Sequence, residues 1–108
     1  MTDKPMIADV VPAQECRNMA EVRAGVDAVD RALVSLMQQR FAYMNAAARI
    51  KKERSAVRDE ARKAQVIANV RELAEKQGVP TGVVEAMWEL LIEGSIAHEL
   101  AAWDRLKA

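Results

Sequence analysis

Residues that build covalent or metal-held sites are scarce in this sequence. Among its 108 residues there is one cysteine, Cys16, and one histidine, His98. The sequence has no Cys/His cluster with zinc-ligand spacing, no glycine-rich phosphate loop and no Ser–His–Asp arrangement. We therefore expect a protein without a metal, a cofactor or a covalent intermediate. A single thiol cannot form an internal disulfide, which favours a reducing compartment.

Aromatic residues are few, and neither sign of charge is in excess. One Phe, one Tyr and two Trp leave aliphatic residues, Ala and Met to fill the core. Sixteen Lys and Arg residues balance sixteen Asp and Glu residues, which argues against a binder of nucleic acids or membrane surfaces. No apolar run reaches the length of a membrane span, and residues 1–16 lack the pattern of a signal peptide. We expect a cytoplasmic protein with neither a membrane nor a nucleic-acid partner.

The longest pattern predicts a helix over residues 19–55, after an N-terminal arm at residues 1–17. Asn18 is a good N-cap, and Glu21 completes a capping box. One face of this helix recurs in steps of three and four residues, as an amphipathic helix requires. That face holds Val22, Val26, Val29, Leu33, Leu36, Arg40, Met44, Ala47 and Lys51.

Two shorter helices complete an all-α domain of three helices over residues 18–108. Asp59 is a plausible N-cap of the second helix, which Gly78 ends at the C′ position. After Pro80, Thr81 can cap a third helix over residues 82–106, which is apolar nearly all round. Such a helix is buried on several sides, and a first helix of roughly 50 Å is too long for its two partners to cover. We infer a homodimer whose long helices pack together.

Several charged residues occupy positions where apolar ones are expected. Arg40 and Lys51 lie on the apolar face of the first helix, and buried cations need anionic partners. Glu99 lies on an apolar stripe of the third helix, so it either forms a buried ion pair with the first helix or belongs to a binding site. Arg23 lies one residue off the apolar face and either pairs with Asp27 or binds a ligand.

Three cations, Arg58, Arg62 and Lys63, cluster where the second helix begins. Either they form an anion site with the free backbone N–H groups, or Asp59 and Glu60 neutralise them. The candidate residues together suit a small dianion held without covalent chemistry in a site between helices. They are Arg23, Arg40, Lys51, Arg62, Ser95 and Glu99.

Spaced residues over positions 16–106 resemble the small all-α chorismate mutases and the related isochorismate–pyruvate lyases. The segments that carry the resemblance are MAEVRAGVDAVDRALVSLMQQR, VRDEAR and LLIEGSIAHE. In the family's opening helix a second arginine follows the first after seventeen positions and a lysine follows eleven positions later. The matching residues are Arg23, Arg40 and Lys51, then Asp59 and Arg62, and finally Ser95.

The resemblance implies an intertwined homodimer with two active sites and the rearrangement of chorismate to prephenate in Phe and Tyr biosynthesis. Each site would take Arg23 from the partner subunit, and its other residues from one chain. Arg23, Arg40 and Arg62 would bind the two carboxylates of the substrate. Lys51 would stabilise the negative charge that develops on the ether oxygen in the transition state.

Two positions depart from the family pattern. Glu99 stands where bacterial mutases usually have a glutamine that donates to the ether oxygen, and a carboxyl group must be protonated to donate. We expect activity to fall as pH rises through the titration of Glu99, and Glu99→Gln to flatten that profile. Lys63 stands where mutases usually have a glutamate facing the substrate hydroxyl. That difference weakens the mutase assignment and leaves room for the lyase, whose substrate has its hydroxyl elsewhere on the ring. The segments ECRNMAEVR and ELAAWDRL also resemble the lyase.

Three interpretations follow from the sequence. The leading one is a chorismate mutase, and the alternative enzyme is an isochorismate–pyruvate lyase that makes salicylate and pyruvate. The third is a helical dimerisation module without catalysis, in which Arg40, Lys51 and Glu99 only pair across the interface.

Overall fold

The computed structural model describes residues 9–108, whose regular structure is helical throughout. This confirms the all-α prediction of three helices, one long and two shorter. Two short 3-10 turns, Ala13–Glu15 and Arg54–Ala56, accompany them, and residues 1–8 of the predicted arm lie outside the described residues. The chain divides into two compact units, Met1–Arg40 and Phe41–Ala108. The helices are α1 (Met19–Ile50), α2 (Glu60–Gln77) and α3 (Thr81–Lys107).

In the first unit, local hydrogen bonds fix the start of α1. The side-chain oxygen of Asn18 accepts a hydrogen bond from the Glu21 N–H at 2.9 Å, as the predicted N-cap requires. The Glu21 carboxylate accepts from the Arg17 N–H at 2.8 Å, one residue before the donor of a standard capping box. The sequence around Asn18 therefore sets the helix start without help from distant residues.

The apolar face of α1 is largely exposed within the first unit. Its five aliphatic residues, from Val22 to Leu36, are between 38% and 57% exposed. Among the described residues of this unit, Ala28 is the most buried, at 6% exposed. A stripe of aliphatic side chains thus faces solvent in the single chain, where it exposes apolar area that burial would stabilise.

The end of α1 differs from the prediction, since the helix stops at Ile50 and not near residue 55. The Lys51 N–H still donates to the Ala47 carbonyl at 2.9 Å, which is the helical pattern. The Lys51 carbonyl, however, accepts from the indole N–H of Trp103 at 3.1 Å. The Trp103 side chain thus occupies the carbonyl that would accept the next hydrogen bond if α1 continued. The polar segment after Lys51 then forms the connection to α2.

The boundaries of α2 confirm the prediction, whereas the cap predicted for α3 is wrong. Asp59 accepts from the Arg62 N–H at 3.0 Å, and Gly78 has the left-handed φ of 70° that suits glycine. Thr81 is the first residue of α3 and not its cap; Pro80 precedes the helix, with no side-chain cap hydrogen bond. Proline is tolerated at this position because its missing N–H removes no helical hydrogen bond, while its carbonyl accepts from the Val84 N–H at 3.2 Å.

The core of the second unit lies between α2, α3 and the turn before α2. Val57, Ile92 and Ile96 form its centre. The residues that pack around them are Val66, Ile67, Trp88, Leu100 and Trp103. Within the single chain only one face of α3 is buried, and Val83 and Leu90 are 57% and 78% exposed. Burial of its other faces by a second subunit stays a prediction.

Across residues 9–108, each helix falls short of the combined length and apolar character that spanning a bilayer demands.

Candidate active site

A buried ion pair joins the end of α1 to the middle of α3. Glu99 is 4% exposed, and its Oε2 lies 2.8 Å from the Nζ of Lys51. Of the two interpretations of Glu99, the buried ion pair with the first helix is therefore present, and Lys51 is the partner. The pair forms within one chain, whereas a non-catalytic dimerisation module was expected to pair these residues across the interface.

The Glu99 carboxylate keeps unused capacity to accept hydrogen bonds. The 2.8 Å contact with Lys51 is close enough for an ion pair, but Oε2 lacks a donor with hydrogen-bond geometry among the described residues. A buried carboxylate oxygen in this state favours a further donor.

The face of α3 that holds Glu99 also carries Ser95 and Trp103, one turn before it and one turn after it. Ser95 is 3% exposed, and its hydroxyl donates to the Leu91 carbonyl at 2.7 Å. The Trp103 indole N–H donates to the Lys51 carbonyl. The structure therefore places Ser95 and Glu99 on one buried helix face, and it joins Lys51 to that face.

The other predicted site residues lie in different surroundings. Arg62 is exposed at the start of α2, where its guanidinium donates to the Gln65 carbonyl oxygen at 2.6 Å and its backbone N–H is held by Asp59. These contacts do not include Lys51 or Glu99. In the first unit, Arg23 is exposed and Arg40 is half-buried on α1.

Carboxylates neutralise two of the three cations at the start of α2. Arg58 lies 2.6 Å from Glu93 and 2.8 Å from Glu60, and Lys63 lies 2.6 Å from Glu89 and 2.8 Å from Glu93. Hydrogen bonds from Arg58 and then Lys63 lower the pKa of Glu93 to about 2, and bonds to Glu89 and Glu93 raise the pKa of Lys63. The interpretation in which carboxylates neutralise the cluster is therefore confirmed for Arg58 and Lys63.

Sequence reasoning missed the main source of this neutralisation. It named Asp59 and Glu60, but Asp59 serves as the helix cap, and most of the negative charge comes from Glu89 and Glu93 of α3. A signal was present: a connection of three residues makes α2 and α3 antiparallel neighbours. An acidic pair four residues apart on α3 then faces the basic start of α2.

His98 was expected to be a plain helix-flank residue, but it is half-buried and partnered. Its Nε2 lies 2.7 Å from the Asn45 side-chain oxygen, and its ring meets the Phe41 ring edge-on with centroids 5.0 Å apart. No group of three or more His, Cys, Asp or Glu side chains could hold a metal ion anywhere in the described range 9–108.

A known protein family matches most of this chain. The family described as chorismate mutase type II matches residues 22–100. The chain belongs to this family. The match covers most of α1, all of α2 and the part of α3 that carries Ser95 and Glu99, so the resemblance inferred from spaced residues is confirmed.

A relative of similar length bears a different activity in its name. An isochorismate pyruvate lyase from Pseudomonas aeruginosa strain PAO1 is 27% identical over 94 residues, which cover 87% of this chain and 93% of the relative. Together the two matches support a chorismate mutase-type enzyme for a small chorismate-like substrate. They differ in the reaction that their names state.

Proposed function

We propose that the protein is a chorismate mutase, which rearranges chorismate to prephenate for Phe and Tyr biosynthesis. The observation that carries this proposal is the buried Lys51–Glu99 pair at 2.8 Å, on the helix face that also holds Ser95. An ammonium and a carboxyl group at this spacing can both contact one substrate oxygen. The mechanism uses non-covalent binding alone and takes no cofactor.

The proposed catalysis depends on charge that develops during the reaction. The breaking ether oxygen of chorismate becomes more negative in the transition state. The Lys51 ammonium stabilises that oxygen more strongly in the transition state than in the ground state, which raises kcat. Glu99 adds a second hydrogen bond to the same oxygen when its carboxyl group is protonated.

The carboxylates of the dianion need further cations, which we assign from the family resemblance. Arg40 and Arg62 bind them from the same chain, with Arg62 held at the start of α2 by the Asp59 cap. Arg23 of the partner subunit completes the set, and Ser95 contributes a hydroxyl. Holding both carboxylates selects the compact form of the substrate and brings its reacting atoms together.

We also propose that the protein is a homodimer. The exposed aliphatic face of α1, 38–57% exposed at each position from Val22 to Leu36, supports this state because burying it against a second copy removes apolar area from water. The single cysteine favours a reducing compartment, and we propose the cytoplasm.

A product assay by NMR tests the reaction. Purified protein is given chorismate and isochorismate in separate tubes at mildly acidic and neutral pH. Prephenate from chorismate, with little salicylate from isochorismate, is the expected result. Lys51→Met should abolish it, whereas Lys76→Met, at an exposed lysine of α2, serves as the matched control and should not. No conversion of either chorismate or isochorismate would overturn the proposal that the protein is an enzyme.

The second candidate is an isochorismate–pyruvate lyase, which two observations favour. The relative from P. aeruginosa carries that name, and Lys63 replaces the glutamate that mutases usually direct at the substrate hydroxyl. Glu89 and Glu93 engage the Lys63 side chain, so its charge is neutralised within the chain. Efficient formation of salicylate and pyruvate in the isochorismate tube would select this function.

A further inference from the structure

The last turns of α3 cap the C-terminal end of α1. The final carbonyls of a helix have no donor within the helix. Here the Trp103 indole N–H donates to the Lys51 carbonyl at 3.1 Å, and the Lys107 ammonium donates to the Arg49 carbonyl at 3.4 Å. Two side chains of α3 thus satisfy carbonyls where the chain leaves α1, at the residue that the proposed mechanism uses.

Lys51 is held at both of its ends by one face of α3. Glu99 and Trp103 lie one turn apart on that face. Glu99 contacts the side-chain ammonium at 2.8 Å, while Trp103 contacts the backbone carbonyl. A bound substrate would compete with Glu99 for the ammonium, so the backbone contact to Trp103 is the one that stays the same with and without substrate.

Trp103 is itself fixed by the core. Its ring packs against the cluster centred on Val57, Ile92 and Ile96, and the Lys107 ammonium lies 5.9 Å from the ring centroid, within the range of a cation–π contact. A flexible four-carbon stem separates the ammonium of a lysine from its backbone. When the backbone is anchored, motion of the Lys51 ammonium is confined to what this stem allows.

We propose that Trp103 is a positioning residue for Lys51, and this inference rests on the proposed function. Its indole N–H fixes the Lys51 backbone so that the ammonium meets the ether oxygen of the substrate. Trp103→Phe keeps an aromatic ring in the core and removes the donor. We expect kcat to fall roughly ten-fold with KM changed less than about two-fold, because displacement of a catalytic group weakens transition-state contacts most.

The experiment compares Trp103→Phe with the matched control Trp88→Phe. Trp88 packs against the same core cluster but lies near the start of α3, away from Lys51. The two variants are measured for kcat and KM on the substrate that the wild type converts, and for hydrogen exchange of the Lys51 amide. That amide donates to the Ala47 carbonyl, so its exchange reports opening at the end of α1.

The expected result is a selective effect of Trp103→Phe. Exchange at Lys51 should rise about five-fold or more and kcat should fall, whereas Trp88→Phe should change stability alone. Wild-type kcat in Trp103→Phe, with or without faster exchange, would overturn the positioning role. A wild type inactive on both substrates would overturn the proposed function and the catalytic part of this inference, and the exchange data would still decide whether Trp103 anchors α1.

Discussion

Burial should make the Lys51–Glu99 pair much stronger than an exposed pair of the same geometry. We propose to measure its coupling free energy with a double-mutant cycle built from Lys51→Met and Glu99→Gln. The chain offers a matched control in Lys76 and Glu72 of α2, whose charged atoms are 3.0 Å apart with side chains 69% and 64% exposed. Both pairs join a lysine to a glutamate at 2.8–3.0 Å. They differ in exposure, and the control pair is local, four residues apart on one helix.

The expected magnitude follows from distance and exposure. At 2.8 Å, the gross attraction of two unit charges is about 6 kcal/mol at an effective dielectric constant of about 20, and about 1.5 kcal/mol in water. Desolvation of Glu99 opposes this attraction, and the Lys51 side chain remains 30% exposed. We expect a net coupling of about 1–3 kcal/mol, against at most about 0.5 kcal/mol for the control pair.

Urea unfolding followed by circular dichroism gives the free energy of unfolding of each variant. All proteins are compared at one concentration, because dimer formation would add to the apparent stability. A Lys51–Glu99 coupling no larger than that of the control pair would refute the reasoning, since burial would then not strengthen the attraction.

Three further substitutions, and a control for one of them, test local features by the same unfolding measurement. Above pH 5, Glu93→Gln should have a lower free energy of unfolding than wild type. The difference should shrink as pH falls from near 4.5 to about 2, because the ionised Glu93 stabilises the fold and protonation through its lowered pKa removes that stabilisation. Gly78→Ala should cost about 1–2 kcal/mol for backbone strain at φ 70°, whereas Gly82→Ala, in open helical space, should cost nothing. Asp59→Ala should cost about 1 kcal/mol by removing the cap of α2; no loss would rule out that cap.

Helix boundaries set by neighbouring residues could be predicted from the sequence. Asn18, Asp59 and Gly78 each act through backbone groups within a few positions, so their residue types indicated the start of α1 and both ends of α2. The end of α1 could not be predicted in this way. It depends on the contact between Lys51 and Trp103, 52 positions apart, which only the packed structure reveals.

Part of the candidate site could also be predicted from the sequence. The place of Glu99 on an apolar stripe led to the expectation of a buried ion pair with the first helix or of a binding site, and Lys51 is its partner. The partners of Lys63 were not foreseen, because Glu89 and Glu93 lie on another helix and resemble ordinary surface residues. Helical periodicity identifies which face is buried, but not which side chain it meets.

The short connection between α2 and α3 has a consequence for the order of folding. Contacts within this helical hairpin span few residues, whereas those of Lys51 with Glu99 and Trp103 span about 50, and closing a longer loop costs more entropy before its contacts form. The hairpin should therefore form early and the Lys51 contacts late. In stopped-flow experiments, destabilising the α2–α3 core should slow folding, whereas Glu99→Gln should mainly speed unfolding. The residues proposed for catalysis would then come together only when the rest of the unit is already folded.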